Sequence, residues 1–180
     1  MKIIEEKFYN GAREKIDRLG ITLYREVVDL IKGITITLLE EKDSNSGAVV
    51  RETIDAAFSS SRGWSKAQTG DVDWRKSKKV NGTRVCIGVE VQVSARSDLV
   101  VVDIMHLRSA IEDGSIDIGV IIVPSDKMAV YLTDRAPTFR ETVNAIEKRM
   151  RADNLPLVLV SIEHDGPGKA LPKRSKKPKK

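Results

Sequence analysis

The chain has one cysteine, Cys86, among its 180 residues. A single thiol excludes a disulfide framework, and a reducing cytoplasm is the expected location. No histidine stands near Cys86 in sequence to activate it, so it reads as a small strand residue rather than a nucleophile. Aromatics are scarce, with two Trp, three Tyr and three Phe, so the core falls to Val, Ile and Leu. No apolar run approaches the ~20 residues of a membrane-spanning helix. The segment from Met1 to Lys7 carries acids and lacks the apolar stretch of a signal peptide. A uniformly basic surface is missing as well. Seven basic residues and no acids lie between Lys169 and Lys180, and taking these from the formal +5 leaves −2 for the rest. A protein that coats nucleic acid with its whole surface is thereby excluded. Contact of the body with a polyanion requires local patches.

What is present is regular patterning, enough for one domain over 1–165 followed by a basic, disordered tail over 166–180. Phe8, Ala12, Ile16 and Leu19 give residues 5–19 a helical rhythm that stops at Gly20. Leu23, Val27, Leu30 and Ile31 repeat it over 22–32, with Gly33 as the stop. A short alternating strand is expected at 34–38, a loop at 43–47 and a helix at 49–58. Further on, a helix over 99–112, capped by Ser97 or Asp98, precedes a nearly all-apolar strand over 116–123. With the strand before it, this makes a βαβ unit. A short strand at 128–132, a helix over 138–150 and a last buried strand over 155–162 complete the pattern.

The stretch from Asp71 to Gln92 carries the chemistry. Val85, Ile87, Val89, Val91 and Val93 fall on one face of a strand, and Cys86, Gly88, Glu90 and Gln92 on the other. Asn81-Gly82 is a strong hairpin dipeptide, which would bring the segment ending at Asp73 beside this strand. Two carboxylates and an amide would then converge on an exposed strand face. Such a set suits a hard divalent cation such as Mg²⁺, which takes oxygen ligands. An ordinary soluble strand face would show the same residues. Between Asp73 and the turn lies the basic run Arg75-Lys76-Ser77-Lys78-Lys79, a solvated connection or a phosphate contact through Lys76 and Lys78.

These residues carry a resemblance. Asp71-Val72-Asp73-Trp74, Glu90-Val91-Gln92, Gly119 to Pro124, the 138–150 helix and Leu155-Pro156-Leu157-Val158 together look like the BglII type of type II restriction endonuclease, from about Leu23 to about Ile162. That family has the PD-(D/E)xK nuclease fold, with Glu-x-Gln in place of Glu-x-Lys. The resemblance implies an α/β, restriction-endonuclease-like mixed β-sheet of about five strands flanked by helices. It also implies a Mg²⁺-dependent enzyme that cuts both strands of a short palindromic DNA site as a homodimer, with GATC-centred sites the family's common theme. A cognate DNA methyltransferase is expected in the same restriction-modification system. By the same resemblance Asp73 and Glu90 are metal ligands, Val91 contributes its carbonyl, and Gln92 replaces the lysine and orients the attacking water. Asp71, two residues away, is an alternative ligand, and Gln68 a guess for a further polar residue. Base-reading loops fall at Ser94-Ala95-Arg96 and Thr133-Asp134-Arg135-Ala136, polar segments suited to base edges. The alternatives are a structure-specific or repair nuclease of the same fold, and a non-catalytic DNA-binding module.

Overall fold

The computed structural model describes residues 1–59, 63–66, 71–94, 96–133 and 135–172. Among these, the main sheet has six strands, where about five were expected. They are β1 (Lys2–Phe8), β3 (Ser65–Lys66), β4 (Trp74–Val80), β5 (Thr83–Val91), β6 (Ile118–Pro124) and β7 (Leu157–Glu163), in the order β1-β7-β6-β5-β4-β3. The central trio β5, β6 and β7 is parallel, and β1, β4 and β3 join antiparallel. Every residue of β6 is buried, as an apolar strand covered on both faces should be. A two-stranded parallel sheet pairs β2 (Thr37–Leu38) with β8 (Gly166–Pro167).

Helices cover both faces. On one side lie α1 (Ala12–Lys15), α2 (Ile21–Lys32), α3 (Gly47–Ala57) and α5 (Asp126–Tyr131), whose Leu23, Val27, Val50, Ile54 and Met128 pack against Val85, Ile87, Val89 and Val91 of β5. On the other lie α4 (Val100–Glu112) and α6 (Phe139–Asn144), which bury Ile104, Leu107 and Phe139 against Cys86, Ile121 and Leu159. The expected βαβ unit is present as β5-α4-β6.

Four expectations fail for identifiable reasons. The helix over 5–19 is a strand as far as Phe8, because Lys2–Phe8 pairs with Val158 to Glu163 at the sheet edge. The helical rhythm belongs only to Ala12 and beyond, continued through a π-turn at Ile16–Gly20 into α2. The strand at 128–132 is instead α5, started by Ser125, whose Oγ accepts from Met128 N at 2.9 Å. Neither Ser97 nor Asp98 caps α4: they belong to a 3₁₀ turn, Ser97–Leu99, that leads into it. Finally, the expected tail does not begin at 166, since residues 165–172 are attached to the body. His164 is buried, Gly166–Pro167 pairs with β2, and Leu171 accepts a hydrogen bond from Ser46 N at 3.1 Å. Residues 173–180 lie outside the described part.

Candidate active site

The site is built at the open end of the β4–β5 hairpin. Asn81 and Gly82 both take positive φ, 50° and 82°, the two-residue turn whose twist matches the flanking strands. The register then pairs Val80 with Thr83 and Trp74 with Val89, so the next position outward sets Asp73 opposite Glu90. Asp73 Oδ2 accepts from Val91 N at 2.9 Å, and the Asp73 and Glu90 carboxyls hydrogen-bond to each other. The predicted face alternation of β5 holds, but its polar face is not exposed. Glu90 is 2% and Gln92 4% accessible, because α4 covers that side of the sheet. The face is so close-packed at Gly88 that a Cβ there would lie 2.7 Å from Ile116 Cδ1.

From the other side α3 brings Arg51. Its Nη2 pairs with Asp73 Oδ1 at 2.6 Å, its Nη1 donates to the Val91 carbonyl, and its Nε donates to Asp55 Oδ1 at 3.1 Å. Asp55 is held in turn by Trp74 Nε1 at 2.8 Å. The stack of Phe58 on Trp74, ring centroids 5.8 Å apart, fixes the end of α3 against β4. From α4, His106 Nδ1 lies 3.2 Å from Glu90 Oε1, and one ligand atom each from Glu90, Asp103 and His106 lie within 4.8 Å of one another.

Two carboxyls in contact cannot both be ionised cheaply. Burial, then the charge of Asp73 and the hydrogen bond to it, push Glu90 up to about 11, so Glu90 holds the proton. Burial also acts to raise Asp73, but Arg51, the proton on Glu90 and the Val91 N–H outweigh it and bring Asp73 below the usual carboxylate value. Asp103 is pushed up to about 7 by burial and by the charge of Asp73, with Arg51 opposing.

The other residues singled out in sequence are less concentrated. Asp71 turns to Arg75, 3.3 Å away, and to the backbone N–H of Val72. Ser94 is half-buried just beyond β5, and Arg96 is exposed and paired with Asp98 at 2.9 Å. Arg135 is exposed; Asp134 and Gln68 lie outside the described residues. Lys76 pairs with Glu26 of α2 at 2.6 Å, and Lys78 is exposed further toward the hairpin turn. At ~3.4 Å per residue, the basic run leads away from the carboxylates. Burial raises the Cys86 thiol, in keeping with an inert strand residue.

Arg51, Asp55, Asp103 and His106 were missed in the sequence. Their spacings were the available signal: Arg51 and Asp55 are four apart and Asp103 and His106 three apart, each pair on one face of a helix.

The donors fit a divalent cation. Asp73, Glu90 and the Val91 carbonyl offer oxygen, which suits Mg²⁺. Asp103 Oδ2 and Gln92 Nε2 are buried without a hydrogen-bond partner among the described residues, so the pocket has polar capacity to spare. His106 adds a nitrogen that transition metals such as Mn²⁺ accept more readily.

The fold is that of a restriction endonuclease. It is similar to the crystal structure of restriction endonuclease BglII complexed with a DNA 16-mer, with a TM-score of 0.67, 13% identity, and 92% of this chain and 79% of that one covered. The crystal structure of free BglII gives a TM-score of 0.60 at 15% identity, with 92% and 81% covered. In sequence, residues 4–162 match the family described as restriction endonuclease BglII/BglIII. The chain belongs to that family, and the match starts nearer the N-terminus than the resemblance from about Leu23 implied. Among curated protein sequences none matches it.

Proposed function

We propose that the chain is a Mg²⁺-dependent type II restriction endonuclease that makes double-strand cuts at a short palindromic DNA site, GATC-centred by the theme of its family. The observation that carries this reading is the meeting of Asp73, Glu90 and the Val91 carbonyl at one end of the β4–β5 hairpin, in a chain of this family. Asp73, Glu90 and Val91 would hold the ion. When bound, it supplies Lewis acidity at the scissile phosphate and a nucleophile near neutral pH. Glu90 must give up its proton for this, so metal binding tightens as pH rises. An amide takes no proton near neutrality, so Gln92 serves by orienting the attacking water. Ser94, Arg96, Asp134 and Arg135 would read base edges, with Arg suited to guanine and Asp to cytosine. Lys78 would meet phosphates, and Lys76 could do so only by leaving Glu26. The setting is cytoplasmic, with a cognate methyltransferase protecting the host DNA. Plasmid DNA incubated with the protein and Mg²⁺ should give discrete bands, and none with a chelator. A smear would favour a structure-specific or repair nuclease, and metal-independent binding without cutting a non-catalytic module.

Cutting a palindrome on both strands calls for two sites related by the DNA dyad, hence a homodimer. The α4 region supports this reading, since Leu99, Val102 and Met105 are 43%, 41% and 54% exposed. Met105→Glu should shift sedimentation toward the monomer and lower double-strand cutting. A native monomer both free and on DNA would count against the dimer.

The seven basic residues of 169–180 should add affinity without specificity, since phosphate contacts release counterions and carry no base information. Deleting 173–180, which leaves Leu171 in place, should weaken binding to all DNA and flatten its salt dependence. A changed cleavage sequence would refute this role.

A further inference from the structure

We infer that Arg51 is a resident stand-in for the metal, and that a divalent cation must displace its guanidinium to reach Asp73 and Val91; the inference rests on the metal-site reading above. One guanidinium spans the two oxygens expected to hold the ion, Asp73 Oδ1 at 2.6 Å and the Val91 carbonyl. Here its two terminal nitrogens neutralise the acid and satisfy the carbonyl, both of which the ion would otherwise serve. The planar fork of arginine suits this, because it engages two acceptors at fixed spacing.

The third nitrogen is anchored elsewhere. Nε donates to Asp55, which lies one turn along α3 and is itself held by Trp74 Nε1 at 2.8 Å and Lys66 Nζ at 3.4 Å. The terminal nitrogens can therefore leave Asp73 while Nε stays on Asp55, a pivot about a fixed point. The same ion pair counters the charge of Asp73, the service a bound cation would otherwise perform. Removing that counter-charge should leave an anionic site that binds cations harder.

The test is Mn²⁺ titration of the full chain without DNA, with free ion followed by electron paramagnetic resonance. A unit charge a few Å from the ion is a large opposing effect even when well screened. Arg51→Gln should bind Mn²⁺ about tenfold or more tightly. Arg51→Lys keeps the charge but has a single nitrogen that cannot span both oxygens, so it should bind several-fold more tightly. Unchanged or weaker binding in the variants that circular dichroism shows to be folded overturns the inference, and Arg51→Lys decides alone if Arg51→Gln does not fold. Asp73→Asn separates the two readings. If it loses Mn²⁺ while the Arg51 variants match the native chain, only the stand-in role falls. If Asp73→Asn binds as the native chain does, the metal-site reading falls and the inference with it.

Discussion

Asp73→Ala and Glu90→Ala should each lower Mg²⁺-dependent DNA cleavage by at least about a thousandfold, since a few kcal/mol of transition-state stabilisation is at stake. The two should differ in folding. Glu90 is buried against His106, so its alanine variant leaves a void and unpaired polar groups. Glu90→Gln preserves the volume and, because the native carboxyl holds its proton, should fold nearly as well while remaining inactive. Asp73→Ala strands part of the Arg51 guanidinium, a loss of about 1–2 kcal/mol after allowance for partial exposure. Asp71 is the control: paired with Arg75, it should tolerate alanine. Gln92→Ala should be harmful but less absolute. Specific DNA binding should survive all of these, since the expected reading segments are separate. Gel-shift and cleavage assays on one substrate decide it, and cutting by both Asp73→Ala and Glu90→Ala would sink the nuclease assignment of this stretch.

Without divalent cations Asp103→Asn should gain stability relative to the native chain as pH rises from about 4 to about 7. Asp103 is raised from an ordinary 3.8 to about 7 in the fold, so the folded chain binds more protons than the unfolded one across that window. Its contribution is present below the unfolded value and vanishes as pH climbs through the folded one. The native loss attributable to it is on the order of a few kcal/mol. Glu90, raised further, makes a contribution of the same sign that is lost only in alkaline pH. Thermal unfolding in chelator at pH 5 and pH 8 measures this, and an equal slope in the native chain and Asp103→Asn would remove Asp103 from the account.

Those two experiments turn on residues of unequal visibility in the sequence. Asp73 and Glu90 are legible because hairpin, register and strand alternation are local patterns: an Asn-Gly turn and an alternation of four valines and one isoleucine suffice to oppose them. Asp103 and His106 were not, because nothing local says that α4 lies over the Glu90 face; that depends on the crossover packing. The same limit hid β1. In this edge strand only Ile3 and Phe8 are apolar residues packed on the core, five positions apart, so no alternation shows, and its partner β7 is some 150 residues away in sequence. The error at α5 was different, since Ser125-Asp126 is a legible helix start. The apolar run that follows suggests a strand by composition, while the Ser125 cap marks the helix. The burial of Glu90 and Gln92 does not show in sequence, because polar residues on one side of a strand read as an outer face.

The Asn81-Gly82 turn also constrains how this hairpin can change in length. Side chains alternate across a strand, so one extra residue in either arm would turn Trp74 out of the core or carry Asp73 away from Glu90. Adding one facing pair at the turn keeps the arms matched and leaves the open end untouched. The hairpin thus acts as a ruler read from its open end: the turn is free to grow or shrink by matched pairs, while the distance between the two acids stays constant.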